Sequence, residues 1–175
     1  MSAPDLYAKA RPIKLLGLDV DGVLTDGNLY YSNSGEEMKT FSTLDGQGIK
    51  LLQSTGVKVA LITARSSRLV ADRAANLGIE FIIQNCPDKC HALTELVGQL
   101  GFTLEEAAYI GDDLPDLACI RRVGLGLTVP NAHDTIKEHA LYITGARGGH
   151  GAVREVCDMI MKAQNSFDRT VAEFL

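Results

Sequence analysis

With 175 residues, 46% of them hydrophobic and 22% charged, the chain has the composition of one globular domain that buries about 70% of its unfolded surface. A net charge of -5 argues against the clustered basic face of a nucleic-acid partner, and no apolar run approaches the ~20 residues of a membrane span. Residues 1–11 lack the apolar core of a signal peptide, so the cytoplasm is the expected location.

Residues 1–12, with two prolines, read as an arm or short helix. The run Leu15-Leu16-Gly17-Leu18 then reads as a strand buried on both faces, and it stops in Asp19 and Asp21, spaced i, i+2. On an extended strand both carboxylates project to one side, where their repulsion calls for a cation between them. Mg²⁺, which takes oxygen ligands and keeps waters, suits such a half-site. Gly22 lets backbone N–H groups turn toward an anion.

Asn28 to Tyr31 and Glu37 to Phe41 flank a Gly-containing loop and read as a β-hairpin that overhangs the exit of the first strand. Asp45 is expected to cap a helix running to about Ser54. A second strand spans Val57 to Thr63, followed by a helix opened by Ser66 or Ser67, with Leu69, Val70, Arg73 and Leu77 at helical spacing and Gly78 as its C-cap. Glu80 to Gln84 is a third strand, and Asp88 caps the next helix with Lys89 in its first turn.

Ala107 to Ile110 is a fourth strand, ending in Gly111-Asp112-Asp113. Residues 124–129 and 141–143 supply the last two strands, the first preceded by a helix over 114–122 and the second by a helix over 134–139. A glycine-rich turn at 145–151 leads to an amphipathic helix over 152–164, with Val153, Val156, Cys157, Ile160 and Met161 on one face. The expectation is a single domain, core about 14–164, with terminal arms at 1–12 and 165–175. Strands alternating with helices mean a doubly wound, mainly parallel sheet.

Cys86, Cys90, Cys119 and Cys157 are scattered, and the one close pair has an x3 spacing with no second pair, so they read as structural or free thiols. His91, His133 and His139 read as surface helix residues. Arg65 and Arg73, taken alone, are as readily helix-surface cations.

Parallel strands joined by right-handed crossovers finish on one edge of the sheet, so residues that follow them converge. Asp19, Asp21, Thr63, Lys89, Asp112 and Asp113 all meet that condition. Acids, a hydroxyl and a lysine at one edge are the parts of a Mg²⁺-dependent phosphoryl transfer.

Leu18-Asp19-Val20-Asp21-Gly22-Val23-Leu24-Thr25 resembles the first motif of the haloacid dehalogenase-like phosphohydrolases, Ile62-Thr63 the second, Lys89 the third and Gly111-Asp112-Asp113 the fourth. The resemblance runs from about Lys14 to Gln164 and implies a Rossmann-like core with a hairpin flap and no cap domain, because no long insertion follows Gly22 or separates Thr63 from Lys89. It implies that Asp19 attacks phosphorus, and that Asp21 protonates the leaving alcohol and then activates water. Mg²⁺ would lie on the Asp19 carboxylate, the Asp21 backbone carbonyl and Asp112, with Asp113 supporting. Thr63 and Lys89 would bind the phosphate.

Further stretches, among them Gly35-Glu36-Glu37, Lys39, Asp45-Gly46, Asp72-Arg73 and residues 148–157, resemble the capless branch of that superfamily that acts on sugar-acid phosphates. The implied reaction is hydrolysis of 3-deoxy-D-manno-octulosonate 8-phosphate to 3-deoxy-D-manno-octulosonate and phosphate, in lipopolysaccharide inner-core synthesis. The implied assembly is a homotetramer in which a neighbour's tail near 147–154 reaches the active site. The sugar acid would contact Asp21, Asp45, Gly46, Lys50, Arg65, Arg73 and Lys89. Lys50 stands where such proteins often have Arg, and Ala64 where Gly is common. The alternatives are a phosphatase for a nine-carbon ulosonic acid phosphate, such as deaminoneuraminate 9-phosphate, or a non-catalytic oligomerisation module, which would have lost the acids.

Overall fold

In the computed structural model, which describes residues 3–175, six strands form one parallel sheet: β1 (Leu15–Leu18), β4 (Lys58–Ile62), β5 (Phe81–Ile83), β6 (Ala107–Ile110), β7 (Leu125–Thr128) and β8 (Tyr142–Ile143). Their order is β5-β4-β1-β6-β7-β8, with Leu18 opposite both Leu61 and Ile110. The chain leaves β1 to one side, builds β4 and β5, and returns to the other side as β6. The crevice at that reversal, beyond the carboxyl ends of β1, β4 and β6, is where an open α/β sheet places its ligand.

Every residue of β1 and β6 is buried, which is why these segments read as unbroken apolar runs. The helices α1 (Ala3–Ala10), α2 (Thr43–Ser54), α3 (Arg68–Leu77), α4 (Lys89–Gln99), α5 (Leu117–Arg122), α6 (Asp134–His139), α7 (Ala152–Ala163) and α8 (Phe167–Ala172) flank the sheet. The small pair β2 (Tyr30–Tyr31) and β3 (Glu37–Met38) is antiparallel, as the hairpin reading requires. No helix among the described residues is long and apolar enough to cross a membrane.

Four features differ from the sequence reading. β1 stops at Leu18, and the Val20 carbonyl accepts from the N–H groups of Val23, Leu24 and Thr25, so Asp19 and Asp21 lie in a tight turn and not on one side of a strand. Ser42, not Asp45, is the N-cap of α2. Leu69 is exposed, and α3 buries Val70, Ala74 and Leu77. The end expected as an arm at 165–175 forms α8, which packs on α7 with Thr170 buried, while residues 1–12 take their helical alternative as α1, packed on α7 with Leu6 and Ala10 buried.

The strongest packing is between α2 and α7. Val153, Val156, Cys157, Ile160 and Met161 of α7 are fully buried, each large apolar side chain contributing roughly 1.5–3 kcal/mol. Close approach requires Gly48, since a Cβ there would lie 2.8 Å from Arg154 Cδ and 3.0 Å from Arg154 Cα. All four cysteines are buried free thiols, as their spacing suggested.

Candidate active site

β1 delivers Asp19, 6% exposed, to the crevice. The turn behind it is knitted by Thr25, whose Oγ1 accepts from the N–H groups of Gly22 and Gly27 at 3.3 and 3.2 Å. Gly22 has φ +97°, and a Cβ there would collide with the Asp112 carboxylate, so only glycine lets β1 and β6 bring their acids together.

Lys89, the first residue of α4, is placed by the Asp88 cap, which accepts from the His91 N–H at 2.9 Å. Its Nζ lies 2.7 Å from Asp19 Oδ1 and 2.7 Å from Asp116 Oδ1. A lysine at the nucleophile is what the resemblance implies; its burial and the second acid are not. The residue expected to support the metal, Asp113, instead turns outward and caps the short turn Leu114–Asp116, accepting from the Leu114 N–H at 2.8 Å. That turn swings Asp116, 1% exposed, under the site, where it also accepts from the Tyr109 hydroxyl at 2.7 Å and from the Asp112 and Asp113 N–H groups at 3.1 and 3.2 Å. The available signal was its place four residues after Asp112, at the start of a helix.

Carboxylate oxygens of Asp19, Asp112 and Asp116 lie within 4.8 Å of one another. Burial, and then the Asp116 charge, push Asp19 up to about 8 and Asp112 up to about 6. Burial pulls Lys89 down, but Asp19 and Asp116 outweigh it and hold the ammonium above its usual range. One lysine does not neutralise three acids, and a hard divalent cation on the Asp19 and Asp112 oxygens removes the remaining repulsion. The donor set therefore fits Mg²⁺.

Thr63 ends β4 at the same edge, 3% exposed, with its Oγ1 accepting from the Arg65 N–H at 3.3 Å. Asp21 points the other way, toward the hairpin. It pairs with Lys39, and its Oδ2 lies 3.8 Å from Arg65 Nε. Arg65 also donates to Glu37 at 3.0 Å and to the Tyr31 hydroxyl at 3.1 Å, which lays the hairpin over the crevice. The ion pairs made by Lys39 and Glu37 across a gap of many residues were not foreseen.

The rest of the expected sugar-acid set divides. Asp45 is buried, but both its oxygens serve α7: Oδ1 accepts from the Arg154 N–H at 2.8 Å and Oδ2 from the Gly151 N–H at 3.3 Å. Gly46 leaves space that the Arg73 guanidinium fills, and Arg73 donates to the Ser42 carbonyl at 3.1 Å and stacks over Phe41. Lys50 does not join the cluster; it lies exposed on α2 in a cleft with Gln53, Val57, Leu77 and Gly78, toward the strands' amino ends.

Residues 147–154 are likewise committed within their own chain. The Gly149 N–H donates to the Val23 carbonyl at 2.9 Å, the Gly148 N–H to Asn131 Oδ1 at 2.9 Å, and Asn131 Nδ2 to the Gly22 carbonyl at 3.1 Å. This segment buttresses the turn that carries Asp21 and leads into a core helix.

The sequence pattern of the haloacid dehalogenase-like hydrolases matches residues 79–156. The chain is 46% identical over 164 residues to the 3-deoxy-D-manno-octulosonate 8-phosphate phosphatase of Escherichia coli K12, covering 94% of this chain and 87% of that protein. The phosphatase of the same name from Moraxella catarrhalis, crystallised with magnesium, phosphate and KDO, superposes with a TM-score of 0.96 at 48% identity, covering 98% of each chain. A cobalt-bound form of the Haemophilus influenzae phosphatase superposes with a TM-score of 0.89 at 37% identity, covering 94% of this chain and 99% of that one. An acid-lined crevice at the reversal of a parallel sheet, and likeness along nearly the whole chain, lead to one assignment: the chain belongs to the haloacid dehalogenase-like hydrolases, in the family of 3-deoxy-D-manno-octulosonate 8-phosphate phosphatases.

Proposed function

We propose that the protein is a Mg²⁺-dependent phosphatase that hydrolyses 3-deoxy-D-manno-octulosonate 8-phosphate. The reading is carried by the meeting of Asp19, Lys89, Asp112 and Asp116 at one crevice, in a chain of the same fold as the magnesium- and KDO-bound phosphatase of Moraxella catarrhalis.

Asp19 attacks phosphorus through the oxygen that Lys89 does not hold, while Lys89 neutralises charge as the dianion approaches. The bond to the sugar oxygen breaks as the aspartyl phosphate forms, and Asp21 gives its proton to that oxygen. In the second half Asp21 takes a proton from water, the water oxygen attacks phosphorus, and the Asp19 carboxylate leaves with inorganic phosphate released. Thr63, at the end of β4, offers its hydroxyl to the phosphoryl oxygens. Bound Mg²⁺, held by Asp19, Asp112 and the Asp21 backbone carbonyl, screens the nucleophile from the phosphate and draws charge from its oxygens. Arg65, beside Asp21 and under the hairpin, is the candidate for the substrate carboxylate.

With no cap domain among the described residues, the crevice is overhung by the hairpin, whose Leu29, Tyr30, Tyr31 and Met38 are exposed together with Leu44. That apolar surface beside an open site supports closure by a second copy, in a homotetramer. Four buried thiols accord with a reducing cytoplasm. Release of phosphate from 3-deoxy-D-manno-octulosonate 8-phosphate, with and without Mg²⁺, in wild type and Asp19→Asn, tests the reading: D19N is expected to lose about 1000-fold in kcat or more. Residual D19N turnover within tenfold of wild type, or faster turnover of a nine-carbon ulosonic acid 9-phosphate, overturns it.

A further inference from the structure

The two carboxylates that react each have a lysine of their own, from opposite sides. Lys89 reaches Asp19 from α4, and Lys39 reaches Asp21 from the exit of the hairpin. The Lys39 side chain is only 2% exposed, and a lysine sheltered to that degree must be paired to offset its lost hydration. Its partners are Asp21 Oδ1 and, at 3.5 Å, Glu37 Oε1. The same Glu37 oxygen takes Arg65 Nη2 at 3.0 Å, and Arg65 Nε, buried and without a hydrogen-bond partner, stands 3.8 Å from the other Asp21 oxygen. The turn after β1 therefore sets where Asp21 begins, but its carboxylate plane is held from the hairpin side, one oxygen to Lys39 and one facing Arg65.

The geometry points to Lys39 as a positioning residue that aims the Asp21 carboxyl at the leaving-group oxygen. This rests on the reading of Asp21 as proton donor. In the step concerned, the bond from phosphorus to the substrate oxygen breaks, the bond from Asp19 to phosphorus forms, and the Asp21 proton moves to the departing oxygen. Lys39 itself exchanges no proton with the substrate. Its effect falls on the half of the reaction that needs a well-placed acid, and not on the attack by Asp19.

The leaving group separates these effects. A sugar alcohol departs only with a proton, whereas the phenol of p-nitrophenyl phosphate departs as the anion and needs none. The ratio of kcat/KM for 3-deoxy-D-manno-octulosonate 8-phosphate to kcat/KM for p-nitrophenyl phosphate is measured in wild type, Asp21→Asn, Lys39→Met and Lys39→Arg, because kcat/KM covers only the steps up to the aspartyl phosphate and leaves out the second half, in which Asp21 serves both substrates alike. Asp21→Asn is expected to lower the ratio about 100-fold and Lys39→Met about 30-fold, with Lys39→Arg recovering most of it. Should Lys39→Met not fold, Lys39→Gln, one bond shorter but still able to hydrogen-bond without the charge, is read in its place. Equal loss on both substrates in the Lys39 variants, with a lowered ratio in D21N, overturns the inference and leaves Lys39 as a pin for the hairpin. An unchanged ratio in D21N overturns the role of Asp21, and that of Lys39 with it.

Discussion

Lys89 Nζ stands 2.7 Å from Asp116 Oδ1, so the ammonium that faces the nucleophile is itself held from behind by a fully buried acid. Asp116 also carries the Tyr109 hydroxyl and the N–H groups of Asp112 and Asp113, which ties the lysine and the metal-binding loop to one carboxylate.

Asp116→Ala leaves a buried ammonium with one partner and a buried hydroxyl with none, and should cost about 3–5 kcal/mol of stability. Asp116→Asn keeps an acceptor and should cost about 1–2 kcal/mol while lowering kcat. Denaturant unfolding of the two variants, followed by kinetics on the folded one, checks both. Equal stability of D116A and wild type contradicts the assigned role.

Asp45 caps α7 from another helix, because the N-cap position, Gly151, has no side chain to do so. Asp45→Ala should cost about 1–2 kcal/mol, by the usual worth of a cap. Burial pushes the Asp45 carboxyl above its ordinary 3.8, against the backbone N–H bonds from Arg154 and Gly151 that pull it down. The native state then binds this proton more readily than the unfolded chain, so the group's contribution to stability falls as pH rises through the range above 3.8. Urea midpoints of wild type and Asp45→Asn across that range should diverge in that direction; parallel curves would count against it.

Gly22→Ala forces a β-carbon into the Asp112 carboxylate at a φ of +97°. The backbone strain alone is worth about 1–2 kcal/mol. Displacement of Asp112 should weaken Mg²⁺ binding by about tenfold in addition, the scale seen when a ligand's supports are disturbed. Calorimetric titration with Mg²⁺ reads the second effect apart from the first. An affinity equal to wild type would show that the loop adapts.

Chelation should abolish turnover, and restored Mg²⁺ should recover it. At 100 times its dissociation constant, an ion that binds only the native state adds about 2.7 kcal/mol, a rise in Tm that a thermal scan resolves. Asp112→Asn should lose that rise and yet melt no lower than wild type in chelator, because the carboxyl it removes is crowded by Asp116. A normal Mg²⁺-induced rise in D112N would remove Asp112 from the metal site.

Local pattern carried the architecture. Leu15–Leu18, residues 59–62 within the expected strand at 57–63, and Ala107–Ile110 read as buried strands because parallel strands covered on both faces leave unbroken apolar runs. Helix punctuation was equally plain at Asp88 and Gly78, where a capping carboxylate and a left-handed glycine do their work within a few residues. From strand exits alone, Asp19, Thr63, Lys89 and Asp112 could be gathered, since right-handed crossovers put all those exits on one edge.

Asp116, Lys39, Glu37, Asp45 and Lys50 were another matter. A short turn after Asp112 decides whether Asp113 or Asp116 points inward, and that depends on whether Tyr109 and Lys89 offer partners across the sheet. Likewise, Asp45 reads as a cap for its own helix until α7 lies beside it, and the glycine-rich turn before α7 shows no partner until Val23 and Asn131 take its N–H groups. Sequence alone thus determined which segments become strands and helices and which edge holds the chemistry, because those follow from periodicity and chain connectivity. The partner of each buried charge was decided only by the tertiary structure, because a desolvated carboxylate or ammonium takes whichever opposite group the packing brings within reach, at any distance along the chain.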